Sequence, residues 1–114
     1  EAAVGSIVDH GGIAIPAHVD RPAFSVIRTL GFVPQGARVA ALEVSPRWPV
    51  EEVLRRFPSL RDFSLVVSSD AHRLQDIARG VTVIDVESRC FEHLRDALVT
   101  GGDRLSYPGG FPYA

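Results

Sequence analysis

Four short apolar runs, each followed by a segment with a helical pattern, constrain the fold of this chain more than any other feature. The runs span residues 13–17, 39–44, 63–67 and 81–86. None alternates strictly between apolar and polar residues, which is typical of strands buried on both faces of a parallel sheet. The order therefore predicts an α/β fold of four βα units, with mainly parallel strands and right-handed crossovers.

The helical segments between and after these runs carry start and stop signals. They are predicted at residues 22–30, 50–57, 74–79 and 88–99. Pro22 lies at the start of the first, and Gly31 directly follows its end, which is the asymmetry that helices favour. In the last helix Ser88 is the candidate N-cap, Gly101 is the candidate C-cap, and an apolar stripe runs between them.

Length and composition limit the chain to one ordinary globular domain. It has 114 residues, of which 46% are hydrophobic and 23% charged, and its formal net charge is -2. We expect a domain over residues 1–106 and a tail rich in Pro, Gly and aromatic residues over 107–114. No apolar stretch approaches the roughly 20 residues of a membrane span, and no basic run marks a nucleic-acid surface. Cys90 is the single cysteine, which excludes an intrachain disulfide and favours a cytoplasmic location.

Two polar clusters directly follow the first and third apolar runs. Residues 17–21 read Ala-His-Val-Asp-Arg, and residues 68–72 read Ser-Ser-Asp-Ala-His. Ligands of parallel α/β folds collect at the carboxyl ends of strands, so the two clusters are expected at the same edge of the sheet.

The residue types in these clusters suit metal and phosphate chemistry. His18, Asp70 and His72 combine imidazole nitrogens with a carboxylate, a donor set that suits Zn, Mn or Fe. Arg21 can bind a phosphate in bidentate fashion. Together they indicate a hydrolase in which metal ions activate water and neutralise a phosphoryl oxygen.

Structural roles for the same residues compete with this interpretation. A histidine at a strand end can simply bond a backbone carbonyl, and Asp70 can cap a following helix. Glu43, near the end of the second run, can bind metal or substrate, although a salt bridge is the favoured alternative. His10, before Gly11, is interpreted as a loop residue, and His93 as a solvated helix residue.

The motifs resemble those of the PHP (polymerase and histidinol phosphatase) domain family. Residues 11–18, Gly-Gly-Ile-Ala-Ile-Pro-Ala-His, are similar to the family segment in which Gly-Gly and an apolar strand lead into Ala-His. Residues 68–72 resemble its closing Ser-Asp-Ala-His motif. The stretch from residue 11 to about residue 78 looks especially like bacterial PHP phosphoesterases, and residues 91–98 look like the helix that closes many PHP domains. The resemblance implies the C-terminal half of a distorted β/α barrel, with His18, Asp70 and His72 as ligands of a two- or three-metal site.

The sequence departs from the family pattern in one large respect. The opening His-x-His motif and the middle Glu and His ligands do not occur here, and we expect them to precede Glu1. Three hypotheses follow. The chain is a phosphoesterase portion that needs a missing N-terminal half, a non-catalytic binding or assembly module, or a small metalloenzyme completed as a homo-oligomer. The implied partner is a phosphorylated small molecule or nucleotide.

Overall fold

In the computed structural model of the chain, a short parallel pair of strands forms the centre of a mixed α/β fold. The structure describes residues 2–22, 25–27, 33–34 and 36–108. Strands β1 (Leu42–Val44) and β2 (Leu65–Val67) pair in parallel, with Leu42 opposite Leu65 and Val44 opposite Val67. Leu42 and Val44 are fully buried. This agrees with the prediction that the second and third apolar runs form buried parallel strands.

The first apolar run, residues 13–17, lies beside β1 without forming a regular strand. Ala40 donates its backbone N–H to Ala14 (2.9 Å), and Glu43 donates to Pro16 (2.9 Å). The bonds advance in the same direction along both segments, so the run is parallel to β1. The strand prediction for this run is nevertheless wrong. Pro16 has no N–H to donate, which interrupts a regular ladder.

The fourth apolar run pairs in the opposite sense to the one predicted. Thr82 Oγ1 accepts a hydrogen bond from Val67 N (2.7 Å) and donates one to Val67 O (2.9 Å). A side chain thus takes the backbone groups that a parallel neighbour of β2 would use. Strand β3 (Val83–Ile84) instead pairs antiparallel with β4 (Leu105–Ser106). The strands that the structure describes therefore form one parallel and one antiparallel pair, and the predicted arrangement of four βα units is not found among the described residues.

Helices were predicted with mixed success. Helix α2 (Val50–Arg56) confirms the second prediction, with Glu51 and Glu52 in its first turn and Arg55 and Arg56 in its last, as the helix dipole favours. Helix α3 (Phe91–Thr100) confirms the last, although Cys90 and not Ser88 is its N-cap. The predicted helix at 22–30 lies mostly outside the described residues.

The predicted helix at 74–79 is only a single 3₁₀ turn, Leu74–Asp76. Leu74 is 87% exposed and Ile77 64% exposed, so this segment buries no apolar face that would hold a longer helix. Two further 3₁₀ turns cover Pro58–Asp62 and Gly102–Arg104.

Helix α1 (Ala2–Asp9) was not predicted and ends in a Schellman motif. Gly12 donates to Ile7 O (2.8 Å) and Gly11 donates to Val8 O (2.9 Å). Gly11 has a φ of 82°, a left-handed conformation that favours glycine. Within the described residues, every helix is too short or too polar to cross a bilayer.

Two apolar clusters form the core, one on each side of β1 and its neighbours. The larger contains these buried residues: Val19, Val33, Leu42, Val44, Val50, Val53, Leu60, Leu65 and Val67. The smaller joins Ala40 and Ala41 to Leu98 of α3 and Leu105 of β4. Tyr107, the first residue of the predicted tail, packs against both clusters and donates its hydroxyl to Leu65 O (2.6 Å). Burial, and secondarily the charge of Glu51, raise the pKa of the Tyr107 phenol above its ordinary value.

Leu60 and Leu74 form a matched pair of leucines that tests this assignment of the core. Leu60 is fully buried, whereas Leu74 is largely exposed. We expect Leu60→Ala to lower the free energy of unfolding by about 2–5 kcal/mol, because it leaves a cavity in the core. Leu74→Ala should change it by no more than about 0.5 kcal/mol. Urea denaturation of both variants measures the difference, and equal losses would contradict the core assignment.

Candidate functional site

Three loops meet at the carboxyl ends of the central segments and enclose a cavity of about 570 Å³. The first follows residues 13–17, the second follows β1 and the third follows β2. The residues around the cavity are mostly polar or charged: Asp20, Arg21, Pro22, Ser45, Pro46, Arg47, Ser69, Asp70, His72, Asp76 and Arg79. Both polar clusters identified in the sequence therefore contribute to one cavity, at the edge where parallel α/β folds bind ligands.

Asp20 fastens the first loop to the end of β1. Its side chain is buried, with 6% of the residue exposed. Oδ1 accepts a hydrogen bond from Ser45 N (2.8 Å), and Oδ2 accepts one from Ser45 Oγ (2.6 Å). From the sequence, Asp20 indicated only the start of a helix before Pro22. The signal that was available is its residue type, because aspartate side chains readily accept hydrogen bonds from backbone N–H groups in turns and caps.

Arg21 and Asp70 join the first loop to the third. Arg21 Nη1 donates to Asp70 Oδ2 at 2.6 Å, and the two side chains are 48% and 35% exposed. An ion pair this exposed contributes only about 0–1 kcal/mol to stability. The pair is therefore easily opened by another cation at Asp70 or by an anion at Arg21.

His72 has one ring nitrogen committed to the backbone. Its Nδ1 lies 2.7 Å from the carbonyl oxygen of Asp70. A proton on Nδ1 makes this a hydrogen bond and leaves the lone pair of Nε2 available. Metal-binding histidines commonly fix their tautomer in this way. Asp70 itself has a φ of 48°, which aspartate tolerates better than most residues.

His18 precedes the lining residues Asp20 and Arg21 in the first loop but does not itself line the cavity. Its backbone φ is 31°, and its N–H donates to Glu43 Oε1 (3.0 Å). His18 Nδ1 is buried and has no hydrogen-bond partner among the described residues. The competing interpretation, a ring bonded through Nδ1 to a backbone carbonyl, does not hold for this atom. A buried orphan nitrogen is costly and indicates a missing partner.

Glu43 makes a different set of contacts from the salt bridge favoured by its sequence position. One carboxylate oxygen accepts from His18 N, and the other accepts a short hydrogen bond from Ser68 Oγ. The remaining histidines lie elsewhere. His10 Nδ1 donates to Ser6 O (2.7 Å) at the end of α1, and His93 Nδ1 lies 2.8 Å from Ser88 Oγ near the start of α3.

The predicted metal ligands fit an ion by donor type but are not gathered around one point. Asp70 and His72 line the cavity, and His18, in the loop that also carries Arg21, has a buried nitrogen without a partner among the described residues. Across residues 2–22, 25–27, 33–34 and 36–108, however, no three His, Cys, Asp or Glu side chains are grouped closely enough to hold a metal ion. The metal site with His18, Asp70 and His72 therefore stays a prediction.

Comparison with known families supports the resemblance seen in the motifs. Residues 54–101 match the family model described as PHP-associated. The match includes Asp70 and His72, and it begins after His18 and Arg21. It confirms the predicted relation to a PHP-related domain family. No curated protein and no solved structure gives a significant match to the chain.

The Asp20–Ser45 contact, made by a buried carboxylate that lines the cavity, can be tested directly. We expect Asp20→Ala to destabilise the fold by about 1–3 kcal/mol, because Ser45 N loses its acceptor in a partly buried position. Asp62→Ala, at an exposed aspartate, serves as the control and should have little effect. Thermal unfolding of both variants measures this, and a loss no larger for Asp20 than for Asp62 would contradict it.

Proposed function

From the relation to a PHP-related domain family, we propose that this chain is the C-terminal part of the active site of a metal-dependent phosphoesterase. In this proposal Arg21 binds the phosphoryl group of a phosphorylated small molecule or nucleotide. His18, Asp70 and His72 supply part of the ligand set for divalent ions, which are Zn, Mn or Fe. The finer architecture, half of a distorted β/α barrel, and a cytoplasmic location belong to the same proposal.

One observation supports the proposal more than any other. Asp70 and His72 of the PHP-associated segment and Arg21 of the preceding loop line a single cavity. A guanidinium group that can bind phosphate thus lies in the same cavity as a carboxylate and an imidazole that can bind a metal ion. An isolated arginine or histidine at a strand end would have no such neighbour. Arg47 also lies on the rim, whereas Arg79 is paired with Asp76 (3.0 Å), so the lining carries three arginines and three aspartates.

The arginine contributes binding and charge neutralisation. Its guanidinium presents paired N–H donors that match two phosphoryl oxygens. Since Arg21 is bonded to Asp70 here, it must release that carboxylate before it takes a phosphate. The exposed ion pair costs little to open, so this exchange is compatible with ordinary substrate affinities.

The ligand residues contribute through the loops that carry them. His72 is held by the Asp70 carbonyl, so its Nε2 would bind an ion without losing its present backbone contact. His18 would gain a partner for its buried Nδ1. When bound, the ions supply Lewis-acid activation of water and of the phosphoryl group.

The donor set on this chain is small for such chemistry. His18, Asp70 and His72 would hold one ion only if their two loops brought them closer together than they lie here, and the multinuclear site implied by the family resemblance needs further ligands. These would come from another part of the enzyme or from a second copy of the chain. A non-catalytic binding or assembly module that keeps the same residues is the alternative.

A phosphatase assay on the purified chain tests the proposal. With p-nitrophenyl phosphate and added Mn²⁺ or Zn²⁺, we expect little or no turnover, because three ligands do not complete a multinuclear site. We expect weak Zn²⁺ binding by calorimetry, abolished in Asp70→Ala and His72→Ala and kept in the control His93→Ala. Binding should weaken as the pH falls, since an imidazole must be neutral to bind a metal.

The other outcomes of the assay separate the rival functions. Robust turnover that is lost in Asp70→Ala or His72→Ala would favour an enzyme completed by self-association. Zn²⁺ binding that is equally strong in all four proteins would contradict the assignment of Asp70 and His72 as ligands.

A further inference from the structure

Glu43 occupies the middle of β1 and contacts both loops that carry the predicted ligands. Its Oε1 accepts a hydrogen bond from His18 N (3.0 Å), and its Oε2 accepts one from Ser68 Oγ. Its own backbone is also anchored, because Glu43 N donates to Pro16 O (2.9 Å) and Glu43 O accepts from Val19 N (2.8 Å). The Glu43 carboxylate is therefore fixed in place between the two loops and is hydrogen-bonded to both.

We propose that Glu43 is a positioning residue that sets the His18 loop relative to the loop carrying Asp70 and His72. The inference rests on the proposed function in one respect. It predicts that removing Glu43, which is not itself a ligand, weakens metal binding at His18, Asp70 and His72. It differs from the two roles that the sequence suggested for Glu43, a salt bridge or a direct ligand.

The backbone of His18 explains why such a device is needed. A non-glycine residue with a φ of 31° costs free energy and persists only where its surroundings hold it. The bond from His18 N to a carboxylate is charge-assisted, and such bonds are stronger than neutral ones. Glu43 thus stabilises a conformation that the chain would otherwise leave, at a residue whose Nδ1 is buried without a partner among the described residues.

The second contact of Glu43 extends the same restraint to the other loop. Ser68 lies two residues before Asp70, so its hydroxyl bond ties the start of the Ser68–His72 motif to β1. Asp20 makes a parallel link, from the first loop to Ser45 at the end of β1. The carboxylates of Glu43 and Asp20 therefore hold the loops in position. Asp70 differs, because its partner Arg21 is exposed and can be exchanged for another ion.

Substitutions at Glu43 can separate positioning from general stability. Glu43→Gln keeps an oxygen that accepts from His18 N, and its amide can donate to Ser68 Oγ, so both links are retained. Glu43→Ala removes both. Tyr107→Phe is the matched control, because it deletes one partly buried hydrogen bond, to Leu65 O, at the opposite end of β2. Ser68→Ala deletes one of the two Glu43 contacts and replaces Glu43→Ala if that variant does not fold.

The experiment combines amide hydrogen exchange, followed by NMR, with Zn²⁺ titration of the whole chain. In Glu43→Ala we expect faster exchange at the His18 amide, shifted resonances across residues 68–72, and Zn²⁺ affinity reduced roughly tenfold, as for other outer partners of metal ligands. Ser68→Ala should shift residues 68–72 and also weaken Zn²⁺ binding. Glu43→Gln, which keeps both links without the charge, should lie between the wild type and Glu43→Ala in each measurement. Tyr107→Phe should keep wild-type Zn²⁺ affinity despite lower stability.

Two results would overturn the positioning role. One is unchanged His18 exchange and Zn²⁺ affinity in a folded Glu43→Ala protein. The other is an equal loss of Zn²⁺ affinity in Tyr107→Phe, which would assign the effect to stability alone. A wild-type chain that binds no Zn²⁺ would contradict the proposed function and the effect of Glu43 on metal binding. The hydrogen-exchange data would still show whether Glu43 holds the two loops.

Discussion

The burial of β1 between two parallel neighbours organises the rest of the structure. Leu42 and Val44 are fully buried, and backbone hydrogen bonds leave the β1 region on both sides, toward residues 14–19 and toward β2. Because all three segments run in the same direction, their following loops emerge at one edge. The polar residues of those loops are thus brought together by strand direction, before any specific contact among them is made.

The carboxylates at this edge have different roles, which follow from their exposure and their partners. Asp20 and Glu43 are bonded to backbone N–H groups and serine hydroxyls, and they fix the loops to β1. Asp70 is more exposed and pairs with Arg21. Carboxylates that are buried, as Asp20 is, or partly buried, as Glu43 is, and that are hydrogen-bonded through both oxygens are suited to holding geometry. An exposed ion pair can exchange partners at little cost. The loops at this edge can therefore be held rigidly while Asp70 and Arg21 remain able to bind other ions.

The sequence predicted the parts of this architecture that depend on local patterns. Apolar runs identified β1 and β2, and Pro49 and Pro58 bounded the segment predicted to form α2. Two His-containing clusters identified several of the residues that line the cavity. The failures at the fourth apolar run and at the candidate site depend on pairing between distant residues. Nothing local to Thr82 reveals that its hydroxyl replaces a backbone partner of Val67, and two residues are too few for β4 to show a periodicity. Asp20 and Glu43 were recognised as polar strand-end residues, but their partners lie 25 positions away along the chain.

The most direct test of this account is a Zn²⁺ titration followed by the side-chain ¹⁵N resonances of the four histidines. If one edge of the fold gathers the ligands, the resonances of His18 and His72 will shift together and saturate at the same Zn²⁺ concentration. His10 and His93, which lie at the ends of other helices, will remain unchanged and serve as internal controls. Independent shifts of His18 and His72, or equal shifts of all four histidines, would contradict a shared site at the carboxyl ends of the parallel segments.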